Sequence, residues 1–245
     1  MSVVVVQESA HTAYYAEAGT KIPPAARLEK KAALRDWGRP GNLNQGAPVT
    51  APKILEEDRL RAHCYRLLGR LLTATPDADA LAVASALGGD ETALGRGLNA
   101  LATVATDVSL DALDDEFHAL FLGVGRGELV PFGSFYLAGF LNEKPLAKLR
   151  HDMARLGIAR AEGVVEPEDH ICSLCEIMAG LILGEFGDPA DAATQRAFFD
   201  AHLGSWAGRF FEDLETAPSA FFYAPVGAIG RAFMAIEATA FQMAA

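Results

Sequence analysis

The residues most able to do chemistry in this sequence lie between positions 166 and 178, in the stretch EPEDHICSLCEIM. Asp169 and His170 are adjacent, and Cys172 and Cys175 follow three residues apart, a spacing that makes two side chains neighbours on the surface of one helix. Imidazole and thiolate groups are preferred ligands of zinc, and paired thiols also occur in redox sites. One hypothesis is therefore a metal- or redox-active helical protein that uses His170, Cys172 and Cys175.

The number of available ligands argues against that hypothesis. A structural zinc site takes four nitrogen or sulfur ligands, usually as two separated pairs, and the third cysteine of the sequence, Cys64, has no second thiol near it in the chain. A thioredoxin-like pair would need a strand–helix–strand context, which the sequence lacks. No serine lies in a nucleophile elbow either. We therefore expect buried, inert thiols, no metal and no catalytic residue.

The elements around this stretch are helical. After Ile54, apolar residues repeat at spacings of three and four in segments such as 57–72, 111–123 and 145–157. This period predicts an all-α fold, a single compact domain of about eight to ten helices spanning 54–245. In the first segment it predicts a buried face made of Leu60, Cys64, Leu67, Leu68 and Leu71. Pro167 is expected at the first position of a helix, with Glu168 and Asp169 in its first turn.

The first 53 residues have a different composition. Proline, glycine, asparagine and glutamine interrupt them repeatedly, and one short stretch, 25–37, has helical spacing. We expect residues 1–53 to form an irregular, poorly ordered N-terminal extension. A start codon assigned too far upstream is the alternative.

The charge is divided unevenly between these two parts. The net charge of −11 is made of +3 over residues 1–53 and −14 over residues 54–245. An acidic body disfavours nucleic acid, whose binding depends on Lys and Arg at the phosphates, and suits a basic peptide or protein partner. Acidity that only keeps the protein soluble is the alternative. Three cysteines and no apolar run long enough to cross a bilayer predict a cytoplasmic protein without membrane insertion.

Two further segments carry glycines and aromatic residues. GVGRGE, at 123–128, follows a helix and lacks a GKS or GKT sequence, so we interpret it as an interhelical loop rather than a nucleotide site. In 128–150, Phe135 and Phe140 are expected in the core because of their helical spacing. Phe132 follows Pro131 in a loop, which makes it the better candidate for a surface apolar pocket.

The order of these motifs resembles one known family. EFHALFLGVGRGELVPFGSFYL (116–137), followed by EPEDHICSLCEIMAGLI (166–182), resembles the TorD/DmsD family of redox-enzyme maturation chaperones. The resemblance extends over about residues 58–240, and GFLNEKPLAKLR with the PEDHI helix is most similar to the branch associated with formate dehydrogenases.

The resemblance implies a non-enzymatic, all-helical cytoplasmic chaperone without a cofactor of its own. Such a chaperone binds the N-terminal leader, the apo-form, or both, of a molybdenum or tungsten oxidoreductase catalytic subunit, here a formate dehydrogenase, until its cofactors are inserted. It would be a monomer or a domain-swapped dimer. The implied peptide-binding residues are Leu120, Phe121, Pro131, Phe132, Ser134, Tyr136, Pro167, Asp169 and His170.

These residue types suit a twin-arginine leader, which is an arginine pair followed by an apolar stretch. Arg–carboxylate pairs are bidentate and charge-assisted, so recognition needs carboxylates beside an apolar groove. Leu120, Phe121 and Phe132 could form the groove, and the carboxylates could come from Asp114, Asp115, Glu116, Glu128, Glu168 and Asp169. Two alternatives remain: Asp169 caps its helix while His170 bonds a neighbouring loop, or the chaperone binds folded apo-enzyme and no leader.

Overall fold

The protein is described by a computed structural model that covers residues 28–30, 54–123, 126–160 and 166–243. Most of these residues are helical, which confirms the predicted all-α fold. Within those ranges, no helix is both long enough and apolar enough to cross a membrane. The helices are α1 Glu56–Thr73, α2 Ala78–Ser85, α3 Ala93–Asp107, α4 Leu110–Phe117, α5 Gly133–Ala138, α6 Lys144–Arg155, α7 Ile171–Leu183, α8 Ala192–His202, α9 Ala207–Glu215 and α10 Tyr223–Met243.

Two three-residue strands also occur. β1, Leu28–Lys30, pairs antiparallel with β2, Ile158–Arg160, which follows α6. The helix predicted over 25–37 is therefore wrong at 28–30, and the rest of that stretch lies outside the described residues. A short isolated helix is marginal in water, whereas the edge of β2 offers backbone hydrogen bonds. That residues 1–53 form an irregular, poorly ordered extension stays a prediction.

Helix α7 lies at the centre of the core. Its sequence, ICSLCEIMAGLIL, contains one charged residue, and all but two of its side chains are buried. A helix that is apolar on every side is expected in the middle of a fold. It packs against α1 and α8, while α10 packs against α9, α3 and α1. The functional stretch singled out in the sequence therefore begins the most buried helix of the described structure.

Helix α1 is rotated from its predicted orientation. Leu68 and Leu71 are buried as expected, but Leu60 is 62% exposed. The buried face instead includes Tyr65, whose hydroxyl donates to Glu237 Oε2 at 2.9 Å. Tyr65 can be buried because its polar end has a partner, and apolar spacing alone does not reveal such a partner.

Candidate functional site

Two sequence motifs meet at one corner of the molecule. Phe132 and His170 form an antiparallel β-bridge. The Gly133 amide donates to the Asp169 carbonyl at 2.9 Å, and the Ile171 amide donates to the Pro131 carbonyl at 2.9 Å. We call residues 131–134 and 167–170 together the recognition corner. The structure thus brings together six of the nine predicted site residues: Pro131, Phe132, Ser134, Pro167, Asp169 and His170.

Asp169 fastens the two halves of this corner. It is only 3% exposed, and its Oδ2 accepts a hydrogen bond from the Ser134 amide, 2.6 Å away, at the start of α5. Its Oδ1 and the Ser134 hydroxyl oxygen are both buried and have no hydrogen-bond partner among the described residues. A buried polar atom without a partner costs free energy. The corner therefore retains unused hydrogen-bonding capacity next to an anchored carboxylate.

His170 is the N-cap of α7. Its Nδ1 accepts from the Cys172 amide at 3.1 Å, and its ring meets the Phe132 ring edge-on, with centroids 4.9 Å apart. Burial lowers the pKa of His170 to about 3, so the ring is neutral at physiological pH.

The start of α7 therefore differs from the prediction. The helix begins at Ile171, so Pro167 is not its first residue, and 167–170 form a turn in which the His170 amide donates to the Pro167 carbonyl at 3.3 Å. The contacts expected of these two residues in the structural alternative are exchanged: His170 caps the helix, and Asp169 bonds the neighbouring loop.

Leu120 and Phe121 lie in a π-helical turn, His118–Leu122, that continues α4. Such turns are frequent at functional sites. Leu120 is fully buried, whereas Phe121 is half-buried against Phe117 and Tyr223, with ring centroids 5.0 and 5.4 Å away. A side chain at Gly127 would overlap the Leu120 carbonyl, so this glycine lets the loop fold back tightly onto the turn.

Tyr136 is supported from α9 rather than from the corner itself. Its hydroxyl donates to Asp213 Oδ2 at 2.9 Å, and its ring lies 5.4 Å from that of Trp206. Trp206 also packs on Gly133, where an added Cβ would come within 3.2 Å of the indole. The sequence pattern does not connect Trp206 with the site, because α9 is far from α5 in the chain.

The nine predicted residues differ in accessibility. Leu120, Pro131, Ser134, Asp169 and His170 are buried. The half-buried residues are Phe121, Phe132, Tyr136 and Pro167. Direct contact with a partner is therefore open mainly to the half-buried set, and the buried residues hold it in position.

Most of the candidate carboxylates already have partners inside the protein. Glu116 is buried and accepts from the amides of Phe221, Phe222 and Tyr223 at 2.8 to 3.0 Å, at the start of α10. Glu168 is also buried and lies 2.9 Å from the Arg150 guanidinium. Glu128 accepts from Ser219, and Asp114 from Thr75. Asp115 is exposed.

Glu166, which immediately precedes the corner, is not among the carboxylates predicted from the sequence. It is half-buried, and its carboxylate makes no hydrogen bond or ion pair with any described residue. Burial raises the pKa of Glu166 to about 7. Burial removes water that would stabilise the charged carboxylate, and a cation supplied by a partner can stabilise it instead. Its place directly before Pro167 was the available signal.

The thiols pack in the core. Cys172 and Cys175 are buried, as predicted, and Cys64 is half-buried. Burial raises the pKa of Cys64 and of Cys172 to about 12, so both thiols are protonated at neutral pH. The described ranges contain no group of three or more His, Cys, Asp or Glu residues that could hold a metal. The geometry therefore gives the metal and redox hypothesis no support.

One family model and several known proteins are similar to this chain. The family model described as nitrate reductase delta subunit matches residues 88–212. The chaperone protein TorD of Vibrio atlanticus is 28% identical over 148 residues, which are 57% of this chain and 68% of the relative. TorD of Vibrio cholerae serotype O1 is 30% identical over 113 residues, which are 43% of this chain and 51% of the relative. The chain thus spans about half the length of the second relative.

A solved structure shares the fold. A crystal structure of a candidate redox enzyme maturation protein from Archaeoglobus fulgidus has a TM-score of 0.50 and 22% identity, covering 72% of this chain and 94% of that one. The matched family region, 88–212, contains both halves of the recognition corner and makes up half of the chain. The chain therefore belongs to the nitrate reductase delta subunit family, the TorD-like family that its motifs predict.

Proposed function

We propose that this protein is a cytoplasmic chaperone that binds the leader peptide, the apo-form, or both, of a molybdenum or tungsten oxidoreductase and assists cofactor insertion before assembly or export. It acts by binding and not by catalysis. Family membership and the TorD relatives support the chaperone class. The choice of a formate dehydrogenase as client depends on the motif details at 139–150 and 167–171.

The recognition corner is the observation that carries this proposal. Phe132 and Pro167 are half-exposed above Asp169 and His170, which are buried and hydrogen-bonded in place. A rigid apolar surface of this kind binds a peptide without first having to become ordered, which preserves affinity. Beside it, the carboxylate of Glu166 pairs with no residue in the described ranges, and a bound guanidinium would favour its ionised form.

We assign the arginine pair of the leader to Glu166. A guanidinium that pairs with this carboxylate replaces the solvation that burial removed, and a charged hydrogen bond contributes about 1.5 to 3 kcal/mol. The −14 charge of residues 54–245 would also attract a basic leader from a distance. Among the described residues, Glu166 has no partner that a guanidinium would displace, in contrast to Glu116 or Glu168.

Calorimetric titration of the full chain tests the proposal. The ligand is a synthetic peptide of the N-terminal segment of the formate dehydrogenase catalytic subunit from the same genome, and the control peptide has alanine at both arginines. We expect micromolar binding, a loss of roughly a hundredfold with the control peptide, and a loss of roughly tenfold with Glu166→Gln.

Two outcomes would redirect the assignment. If the wild-type protein binds neither peptide, it has no leader-binding function, and binding of apo-enzyme without its leader would then support the folded-client alternative. If both peptides bind equally, the arginine pair is not recognised and Glu166 has another role.

A further inference from the structure

An exposed apolar surface lies at the far end of α5. Leu137 is 44% exposed, Phe140 72% and Leu141 44%; we call these three residues the α5 patch. The predicted burial of Phe140 is wrong, and Phe135 is only half-buried, with the Arg126 guanidinium 4.9 Å from the centre of its ring. Contiguous exposed apolar side chains commonly mark interaction sites.

The backbone holds Phe140 in this exposed position. Helix α5 ends at Ala138 and is capped by Gly139, which is in the left-handed conformation at φ 82°; Asn142 also has a positive φ of 60°. Left-handed backbone at a residue other than glycine is uncommon and needs support from its surroundings. The turn therefore ends the helical path before Phe140, whose side chain stays exposed.

The α5 patch and the recognition corner lie at opposite ends of one short helix. Helix α5 begins at Gly133, whose amide is bonded to Asp169, and ends one residue before Gly139. Six residues of α-helix span about 9 Å. Three or four residues of an extended peptide, at roughly 3.3 Å each, would cover that length. A leader whose arginine pair lies at the corner would thus bring its following apolar residues to the patch.

The size of the patch favours a peptide over a second copy of the chain. From their exposed fractions, the three side chains present on the order of 300 Å². A stable protein–protein interface buries roughly 800 Å² on each partner. The α5 patch is too small for that, but it matches a few apolar residues of a peptide.

We propose that the α5 patch binds the apolar stretch of the client's leader while Glu166, directly before the recognition corner, binds the arginine pair. This inference rests on the proposed function. It divides leader recognition between two surfaces at opposite ends of one short helix, so that each surface reads a different part of the same peptide.

The test compares two protein variants with two peptides. Phe140→Ser removes the most exposed side chain of the patch, and Leu60→Ser is the matched control, since Leu60 is 62% exposed on α1. The peptides are the formate dehydrogenase N-terminal segment and a version with its apolar stretch replaced by serines. We expect Phe140→Ser to weaken binding of the first peptide about tenfold and to leave the second unchanged. Leu60→Ser should bind both peptides as the wild type does.

Several results would overturn the inference. One is unchanged binding of the first peptide by Phe140→Ser; another is an equal loss with both peptides, which would indicate a disturbed corner. Sedimentation of a wild-type dimer that Phe140→Ser dissociates, with peptide binding intact, would assign the patch to a second copy. If the wild-type protein binds neither peptide, the proposed leader binding fails together with this inference.

Discussion

At the scale of single residues, Asp169 acts first inside the protein. Because its Oδ2 holds the Ser134 amide in a buried position, we expect Asp169→Ala to lower the free energy of unfolding by about 2 kcal/mol. Asp169→Asn, whose amide oxygen can still accept that hydrogen bond, should lose less. Urea denaturation followed by circular dichroism measures both. Unchanged stability of Asp169→Ala would show that the corner does not depend on this bond, and a binding defect in that variant could then be assigned to the leader contact.

His170 gives the corner a pH dependence. Its pKa is about 3 in the folded protein because of burial, against an ordinary value of 6.5. Below about pH 6.5 the unfolded chain takes up a proton that the folded protein does not, so stability should fall as the pH falls from about 6.5 toward 3, by at most about 1.4 kcal/mol per pH unit. His170→Asn keeps a capping acceptor and should remove this slope. Urea midpoints at pH 7.5 and pH 5 compare the two proteins.

The titration of Glu166 changes stability with pH in the opposite direction, so the His170 comparison needs a control for it. Its raised pKa of about 7 lies above the ordinary 4.5, so the folded protein retains a proton that the unfolded chain releases, and stability rises as the pH falls from about 7 toward 4.5. The His170 comparison is therefore made in a Glu166→Gln background. In that background, an equal change of stability with pH in the His170 protein and in His170→Asn would mean that the imidazole titrates normally in the folded protein.

At the scale of elements, the spacing of apolar residues predicts where helices occur, but not the residue at which a helix begins or which of its faces is buried. The α1 face was misjudged because the hydroxyl of Tyr65 has a buried partner on α10. The start of α7 was placed four residues early because the chain bonds across to 131–134 before turning helical at Ile171. Each difference comes from a contact with a distant segment, which local spacing does not contain.

Close packing between α9 and α10 depends on glycine. An added Cβ at Gly227 would overlap the backbone nitrogen of Glu215, whereas at Gly208 on α9 it would meet nothing within 4 Å. We expect Gly227→Ala to destabilise the protein by about 3 kcal/mol, because backbone atoms cannot give way as a flexible side chain can. Gly208→Ala should stabilise it by up to about 1 kcal/mol through helix propensity. Thermal unfolding separates the two, and similar melting temperatures would show that α10 can shift away from α9.

At the scale of the whole molecule, the motifs indicated the family but not the accessibility of the site. Their order over residues 116–182 suffices to associate them with one fold. The sequence does not reveal that Asp169 and His170 are buried, nor that Glu116 and Glu168 are taken up by α10 and Arg150. These facts depend on which carboxylate reaches which amide or guanidinium across the fold, and Glu166 became a candidate only because no described residue pairs with it.

The two ends of the described helical body are joined by a buried ionic network. Glu237 on α10 is fully buried and accepts from Arg61 Nε at 2.7 Å and Nη2 at 2.8 Å, and from the Tyr65 hydroxyl. Arg61 also donates to Gln195 on α8 at 3.0 Å. Three helices distant in sequence therefore depend on one carboxylate. Removing it leaves the Tyr65 phenol without this acceptor and leaves the Arg61 guanidinium with Asp58, 2.7 Å away, and Gln195 as its remaining partners.

We expect Glu237→Ala to cost about 3 to 5 kcal/mol, as is typical when one member of a buried ion pair is removed. The matched control is Glu215→Ala, whose carboxylate pairs with Arg231 at 2.7 Å on the surface and should cost about 1 kcal/mol or less. Urea denaturation measures the free energy of unfolding of both variants. The slope of that free energy against urea concentration shows whether α1 and α10 still unfold together. Equal losses in the two variants would mean that water reaches Arg61 once Glu237 is gone, and that apolar packing alone holds the first and last helices together.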